Sequence, residues 1–294
     1  MRVIKKSITR ASKWAIPFYD TLPAWCFPER QLRFKAYCVG MDKTGTLSMY
    51  ITFHQHYRSA HEPEFRFLVY KILAFANGKI DENELIRYVK QRERRLGLEM
   101  NSSHLNYHLI DILVGEFSEA KFILPIRDCY SWLDSLMNHY FTYPQLRNWL
   151  RHHWVRFDKF RFKADRFRHT KEEKILADNK LETLDGYFSY WAEHNSKILA
   201  TVPEDRLFVV KTPEINQNIL KIEKFLGITP GTLPTHVHAN VGKNKISLLS
   251  EIDKDFLEEK ANFHCKELME RYFPEIRGFG DVRGFQKTNF QVER

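Results

Sequence analysis

A junction at residues 34–56 constrains the fold of this chain more than any other stretch. Phe34–Val39 reads as a strand, Gly40–Gly45 as a tight loop and Thr46–His56 as a helix. A glycine-bearing turn of this kind presents successive backbone N–H groups to an anion. The helix N-terminus adds roughly half a unit of positive charge. Lys43 adds a full charge, and Thr44, Thr46 and Ser48 add hydroxyls. The junction therefore reads as a phosphate cradle rather than an ordinary turn. It is not a Walker A loop, in which lysine follows the second glycine. Here Lys43 precedes Gly45, and Thr46 holds the Walker lysine's place. A dinucleotide G-x-G-x-x-G pattern is absent as well.

The same alternation continues along the chain. Tyr57–His61, Leu98–Ser102, Lys121–Ile126 and Arg206–Val210 read as further strands. Helices are expected at Glu64–Gly97 (broken near Asn77-Gly78), Leu105–Glu116, Tyr130–Tyr140, Asp185–Ala200 and Ile215–Leu226, the last closed by Gly227. Strands alternating with helices imply a parallel sheet covered on both faces. The expected fold class is α/β, a three-layer α/β/α arrangement around a central parallel sheet. No internal repeat or linker is visible, so residues 34–294 are expected to form a single domain. Residues 1–33 form a basic, aromatic lead-in with Pro17, Pro23 and Pro28. Ile4, Ile8, Ala11 and Ala15 recur at helical spacing, which favours a helix packed on the domain over one lying on a membrane.

Composition narrows the partners. Apolar residues make up 43% of the 294, enough for a real core, so disorder is excluded for most of the chain. The excess of 46 Lys+Arg over 37 Asp+Glu, or +9, predicts anionic partners. Cys26, Cys38, Cys129 and Cys265 make no CxxC pair, so neither a zinc site nor a disulfide framework is expected. A reducing compartment fits best. No stretch reaches the ~20 apolar residues of a membrane span. Lys13 and Pro17 break the N-terminal apolar run, so no signal peptide is read. The expected location is cytoplasmic, with the basic N-terminus able to touch the inner membrane face.

With its lysine inside the loop, the segment Gly40–Ser48 resembles the 5′-phosphosulfate loop of sulfotransferases that use 3′-phosphoadenosine 5′-phosphosulfate (PAPS). A second segment, Lys121–Asp128 followed by Trp132, Ser135 and His139, looks like that family's 3′-phosphate segment. It is a strand ending in Arg127-Asp128 with a serine eight residues after the arginine. An arginine at a strand end grips phosphate with a planar fork. Trp191–Ile228 is similar to the helix–strand–helix that follows in many bacterial members. The loop His238–Lys245 looks like the basic loop that closes over the 3′-phosphate. The resemblance covers about residues 34–245. It implies a P-loop-like nucleotide-binding fold, PAPS as donor, 3′,5′-bisphosphate (PAP) as product and no required metal. The implied cofactor contacts are Lys43, Thr44, Gly45, Thr46, Leu47, Ser48, Arg127, Ser135, Lys243 and Lys245.

Sulfonyl transfer is an in-line displacement, in which the acceptor loses a proton and the leaving bisphosphate is neutralised. Lys43 is the candidate for the leaving oxygen. Two segments offer a general base. His61–Phe65 resembles the Lys-Glu-x-x-Phe of carbohydrate sulfotransferases, which puts Glu62 at the catalytic glutamate and His61 in place of the lysine. Ser102–Leu105 resembles the Lys-Thr-His-Leu of the small-molecule branch, which puts His104 at the catalytic histidine and Ser102 in place of the lysine. Glu62 stands slightly ahead. Residues 141–174 hold ten Lys/Arg interleaved with Trp149, Trp154, Phe157, Phe160, Phe162 and Phe167. Residues 141–180 are expected to form a lid or insertion on the acceptor side. Arg161, Lys163 and Arg166 there would draw in a polar, anionic or saccharide acceptor through exposed charge. The rivals are a P-loop kinase, which lacks its lysine here, and a basic nucleic-acid binder; no nucleic-acid partner is expected. Oligomeric state is not assigned.

Overall fold

The computed structural model describes residues 26–27, 30–142, 151–237 and 248–282. Most of the N-terminal lead-in and the loop bearing Lys243 and Lys245 therefore lie outside the described residues. The chain runs β1 (Ala36–Cys38), α1 (Thr46–Phe53), β2 (Ser59–His61), α2 (Phe65–Ala76), α3 (Glu82–Leu96), β3 (Met100–Ser102), α4 (Ile110–Glu116) and β4 (Lys121–Ile126). It continues through α5 (Cys129–Thr142), α6 (Arg151–Arg161), α7 (Lys174–Asp178), α8 (Leu184–Thr201), β5 (Leu207–Lys211), α9 (Ile219–Leu226) and α10 (Lys254–Tyr272).

The five strands pair in parallel in the order β2-β3-β1-β4-β5. Residue alternation along each strand divides the core. Tyr37, Phe122 and Leu124 pack on α2, α3, α4 and the end of α8. Cys38, Ile123 and Val210 pack on α1 and α9 from the opposite face. This is the expected three-layer α/β/α arrangement. A further cluster joins α5, α8 and α10 around Trp132, Phe188 and Trp191. Strand β4 spans the expected residues, while β1 is trimmed at both ends and β2 and β3 keep only their last three expected residues, the ones that pair. The stretch expected to be helical from Leu105 opens instead with a 3₁₀ segment, His104–Leu109.

Helix α10 falls in a stretch with no expected element. Leu257, Ala261, Cys265 and Leu268 line its buried stripe, and Lys260 and His264 each reach Asp185 of α8 at 2.8 Å. Among the described residues no helix is long and apolar enough to cross a membrane.

Sheet order decides where a site forms. From β1 the chain crosses to the edge strand β2, and from β4 to the opposite edge strand β5. Connections leaving these two neighbours diverge, which opens a crevice at their C-terminal ends. The loop carrying Lys43 leaves one side of that crevice and Arg127 leaves the other. The ends of β2 and β3 lie next to it, with His61 opposite Ser102 in register.

Candidate active site

A cavity of about 410 Å³ fills the crevice. That is the size of a small-molecule site. One wall is the β1–α1 loop. Gly40 leaves β1 where a side chain could not fit: a Cβ there would stand 2.5 Å from Thr44 Oγ1 and 2.7 Å from Pro125 Cγ. Gly45 precedes α1 at φ 108°, a conformation open to glycine, and a Cβ there would meet Ile215 Cδ1 at 2.7 Å. No side chain caps α1 and its first turn holds no acidic residue. The first amides of α1 thus have no competing carboxylate on their own turn, which leaves them open to an anion. Lys43, Gly45, Thr46, Leu47 and Ser48 line the cavity, as do Arg127 and Ser135. Lys43 sits at φ 67°, uncommon for a residue with a side chain. Burial lowers the pKa of its ammonium, which Asp42 opposes and Arg127 reinforces. Arg127 Nη1 donates to the Lys43 carbonyl at 3.4 Å, so the two cationic segments touch.

Thr44 corrects an expectation. Its side chain is buried, its Oγ1 donates to the Met41 carbonyl at 2.8 Å, and it does not line the cavity. Its hydroxyl shapes the loop and is turned away from any anion. Thr212, which sequence reasoning missed, does line the cavity. Its hydroxyl bridges the carbonyls of Thr44 (2.7 Å) and Ile126 (3.1 Å), binding the end of β5 to the loop. Its position just after a buried parallel strand was a usable signal.

Opposite the loop, Glu62 and His104 form one unit. Glu62 Oε1 accepts from His104 Nδ1 at 2.8 Å and from the His104 amide at 3.2 Å, and Oε2 accepts from Ser103 Oγ at 2.6 Å. His61 Nε2 stands 3.9 Å from Glu62 and 3.3 Å from Thr46 Oγ1. Ser102 Oγ donates to the Thr46 carbonyl at 2.6 Å, tying β3 to the start of α1. Burial alone would raise the pKa of Glu62, yet the charge and hydrogen bond of His104, with His61 and Ser103, leave it below its usual 4.5. Burial alone would lower that of His104, yet Glu62 leaves it above 6.5. The two candidate bases are thus partners, an imidazole and a carboxylate joined by a charged hydrogen bond. Glu62 retains the greater access, with 18% of its side chain exposed against 3% for His104.

The basic stretch is built differently from expectation. The guanidinium of Arg161 is fully buried, 3.1 Å from Asp42 and 2.9 Å from Asp158, and it donates to Tyr140 Oη at 3.0 Å. It pins α6 to the residue before Lys43. Lys163 pairs with Glu193, and Lys174 with Asp178. Phe157 and Phe162 are buried. Among the described side chains, none of the ten cations of 141–174 lines the cavity; Trp154 does, alongside Phe65 and Tyr140. Contrary to expectation, Arg161 offers no exposed charge to a passing ligand, because its guanidinium is locked in buried ion pairs. Asp42→Asn should lower unfolding free energy by about 1.5–3 kcal/mol, because it weakens a charge-assisted bond inside the protein. Equilibrium urea unfolding measures this; an unchanged midpoint would refute the role given to the pair.

The model of a family described as "Sulfotransferase domain" matches residues 35–232. A solved sulfotransferase from Alicyclobacillus acidocaldarius is similar, at 15% identity and a TM-score of 0.44, over 79% of this chain and 96% of that one. Comparison with curated proteins gave no match. Since the matched family span takes in more than half of the chain and every residue that lines the cavity, this chain belongs to the sulfotransferase domain family.

Proposed function

We propose that this sulfotransferase takes its sulfonyl group from PAPS and passes it to a hydroxyl or amine of a ring-bearing acceptor, saccharide or aromatic. One observation carries the reading: an uncapped helix N-terminus, Lys43 and Arg127 share a cavity with the Glu62–His104 pair. When bound, PAPS supplies the sulfonyl group and departs as PAP. The amides of Gly45–Ser48, with the Thr46 and Ser48 hydroxyls, hold the 5′-phosphate. Arg127 and Ser135 hold the 3′-phosphate. Lys43 neutralises charge growing on the leaving oxygen. Fixed cations do that work, so the reading calls for no metal ion. Glu62 takes the acceptor proton while His104 holds the carboxylate in place. Phe65, Tyr140 and Trp154 offer flat faces on which a sugar or aromatic ring can stack. The Trp154 and Phe65 ring centroids are 4.8 Å apart, so they form one continuous wall.

Calorimetry with PAP tests the donor half. Arg127→Ala should weaken PAP binding by about 1.5–3 kcal/mol, the range for a hydrogen bond to a charged group, or on the order of 10–150-fold in Kd. Equal affinity in the variant, or a strict need for ATP and Mg²⁺, would favour a phosphotransferase.

A further inference from the structure

Glu62 reaches His104 from a turn that L-residues adopt at a cost. Glu62 has φ 50° and Glu64 has φ 57°, with Pro63 between them. Left-handed non-glycine residues are strained and persist only where surroundings over-determine them. The surroundings come from α3, a helix that carries none of the residues lining the cavity. Arg92 Nη2 donates to the Pro63 carbonyl at 2.8 Å. Arg92 Nε lies 3.6 Å from Glu64 Oε2. Arg95 grips both Glu64 oxygens, with Nη2 to Oε2 at 2.9 Å.

The side chain of Arg92 is only 1% exposed. Its Nη1 donates to Glu93 Oε1 at 2.9 Å, and that oxygen also accepts from Asn101 Nδ2 at 3.1 Å. Glu93 Oε2 accepts from Tyr37 Oη and Lys35 Nζ, each at 2.8 Å. A chain of charged hydrogen bonds therefore runs from the sheet core at β1 and β3, through α3, to the backbone that presents Glu62. A buried arginine is costly, and apolar side chains of similar volume often do as well for stability alone.

We propose that Arg92 and Arg95 are positioning residues for Glu62, clamping the Glu62–Pro63–Glu64 turn so that its first carboxylate meets His104. The proposal rests on the reading of Glu62 as the base. It predicts that loosening the clamp frees the carboxylate from the imidazole while leaving the phosphate loop alone. Glu64→Gln keeps the volume and removes the charge that both arginines hold. Arg95→Lys keeps the charge and removes the fork.

NMR titration of labelled histidine reads the clamp without any acceptor, with the His104 signal assigned through His104→Gln. In Glu64→Gln and Arg95→Lys the His104 pKa should fall toward 6.5, because the carboxylate that raises it is no longer held against the ring. Asp42, Arg161, His61, His108 and His194, the other charged or titratable groups that interact with His104, are unchanged in these variants. Loss of stability alone would not move a titration measured in the folded state. PAP affinity should remain within about twofold of the parent, since no cradle residue is touched. Arg92→Lys is the third variant, and the other two suffice if it fails to fold. An unchanged His104 titration in folded variants overturns the clamp. Turnover that survives Glu62→Gln in the parent background overturns the reading beneath it, so the two failures are told apart.

Discussion

Lys43→Ala should reduce sulfonyl transfer by at least about 10²–10³-fold while weakening PAP binding much less. Removing one preorganised group that meets developing charge has an effect of that size on kcat. The asymmetry follows from the loop. The amides of Gly45–Ser48 and the Arg127 fork remain in the variant, so the ground-state anion keeps most of its partners. Lys43 is held where its charge matters, on strained backbone and beside the Arg161-anchored Asp42. Burial also favours loss of its proton, and a nearby developing anion reverses that preference. The assay is turnover of labelled PAPS against a panel of sugars, phenols and amines, with PAP calorimetry alongside. Full turnover in the variant would end the assignment of Lys43 to the leaving oxygen.

Glu62→Gln should lower kcat by about 10²–10⁴-fold with PAP affinity intact, the range for loss of a general base. The pH profile of the parent should carry the signature of a pair rather than of either group alone. Glu62 has a lowered pKa, so its stabilising contribution is present above 4.5 and is lost as pH falls through the lowered value. His104 has a raised one, so its contribution is full below 6.5 and is lost as pH rises through the raised value. The ion pair therefore stabilises the fold most between about 4.5 and 6.5. On the alkaline side His104 sheds its proton, and the main influence holding Glu62 down goes with it. Burial then pushes the carboxylate up toward the range of a useful base. Activity should thus rise with pH through an apparent value above 6.5, and in His104→Asn that limb should move to the titration of Glu62 alone. A profile flat across that region would show that the pair does not accept the acceptor proton.

How much of this was legible in the sequence depended on how local each feature is. The strand–loop–helix junction was legible because strand, glycines, lysine and helix are contiguous over residues 34–56. Even there Thr44 misled, since residue type does not tell whether a loop hydroxyl faces out or closes back on Met41. Glu62 and His104 were legible only as alternatives. They lie 42 residues apart, and what joins them is the pairing of β2 with β3, which no local pattern reveals. The basic stretch was misread because charge counts ignore burial. Arg161 and Asp42 are 119 residues apart and find each other only when α6 docks on the loop. Trp154 enters the cavity through the same docking. Helix α10 was overlooked although its buried stripe at 257, 261, 265 and 268 follows helical spacing, because lysines and glutamates dominate the stretch by number.

One cavity should bind PAPS by its two phosphates and place its sulfonyl group before Glu62. A crystal structure of the chain soaked with PAP tests that most directly. The account predicts density for the 5′-phosphate against the amides of Gly45–Ser48, with Lys43 beside it, and for the 3′-phosphate at Arg127 and Ser135. The unfilled remainder of the cavity should be bounded by Glu62, Phe65 and Trp154. Saturating PAP that leaves this cavity empty, or binds elsewhere on the chain, would contradict it.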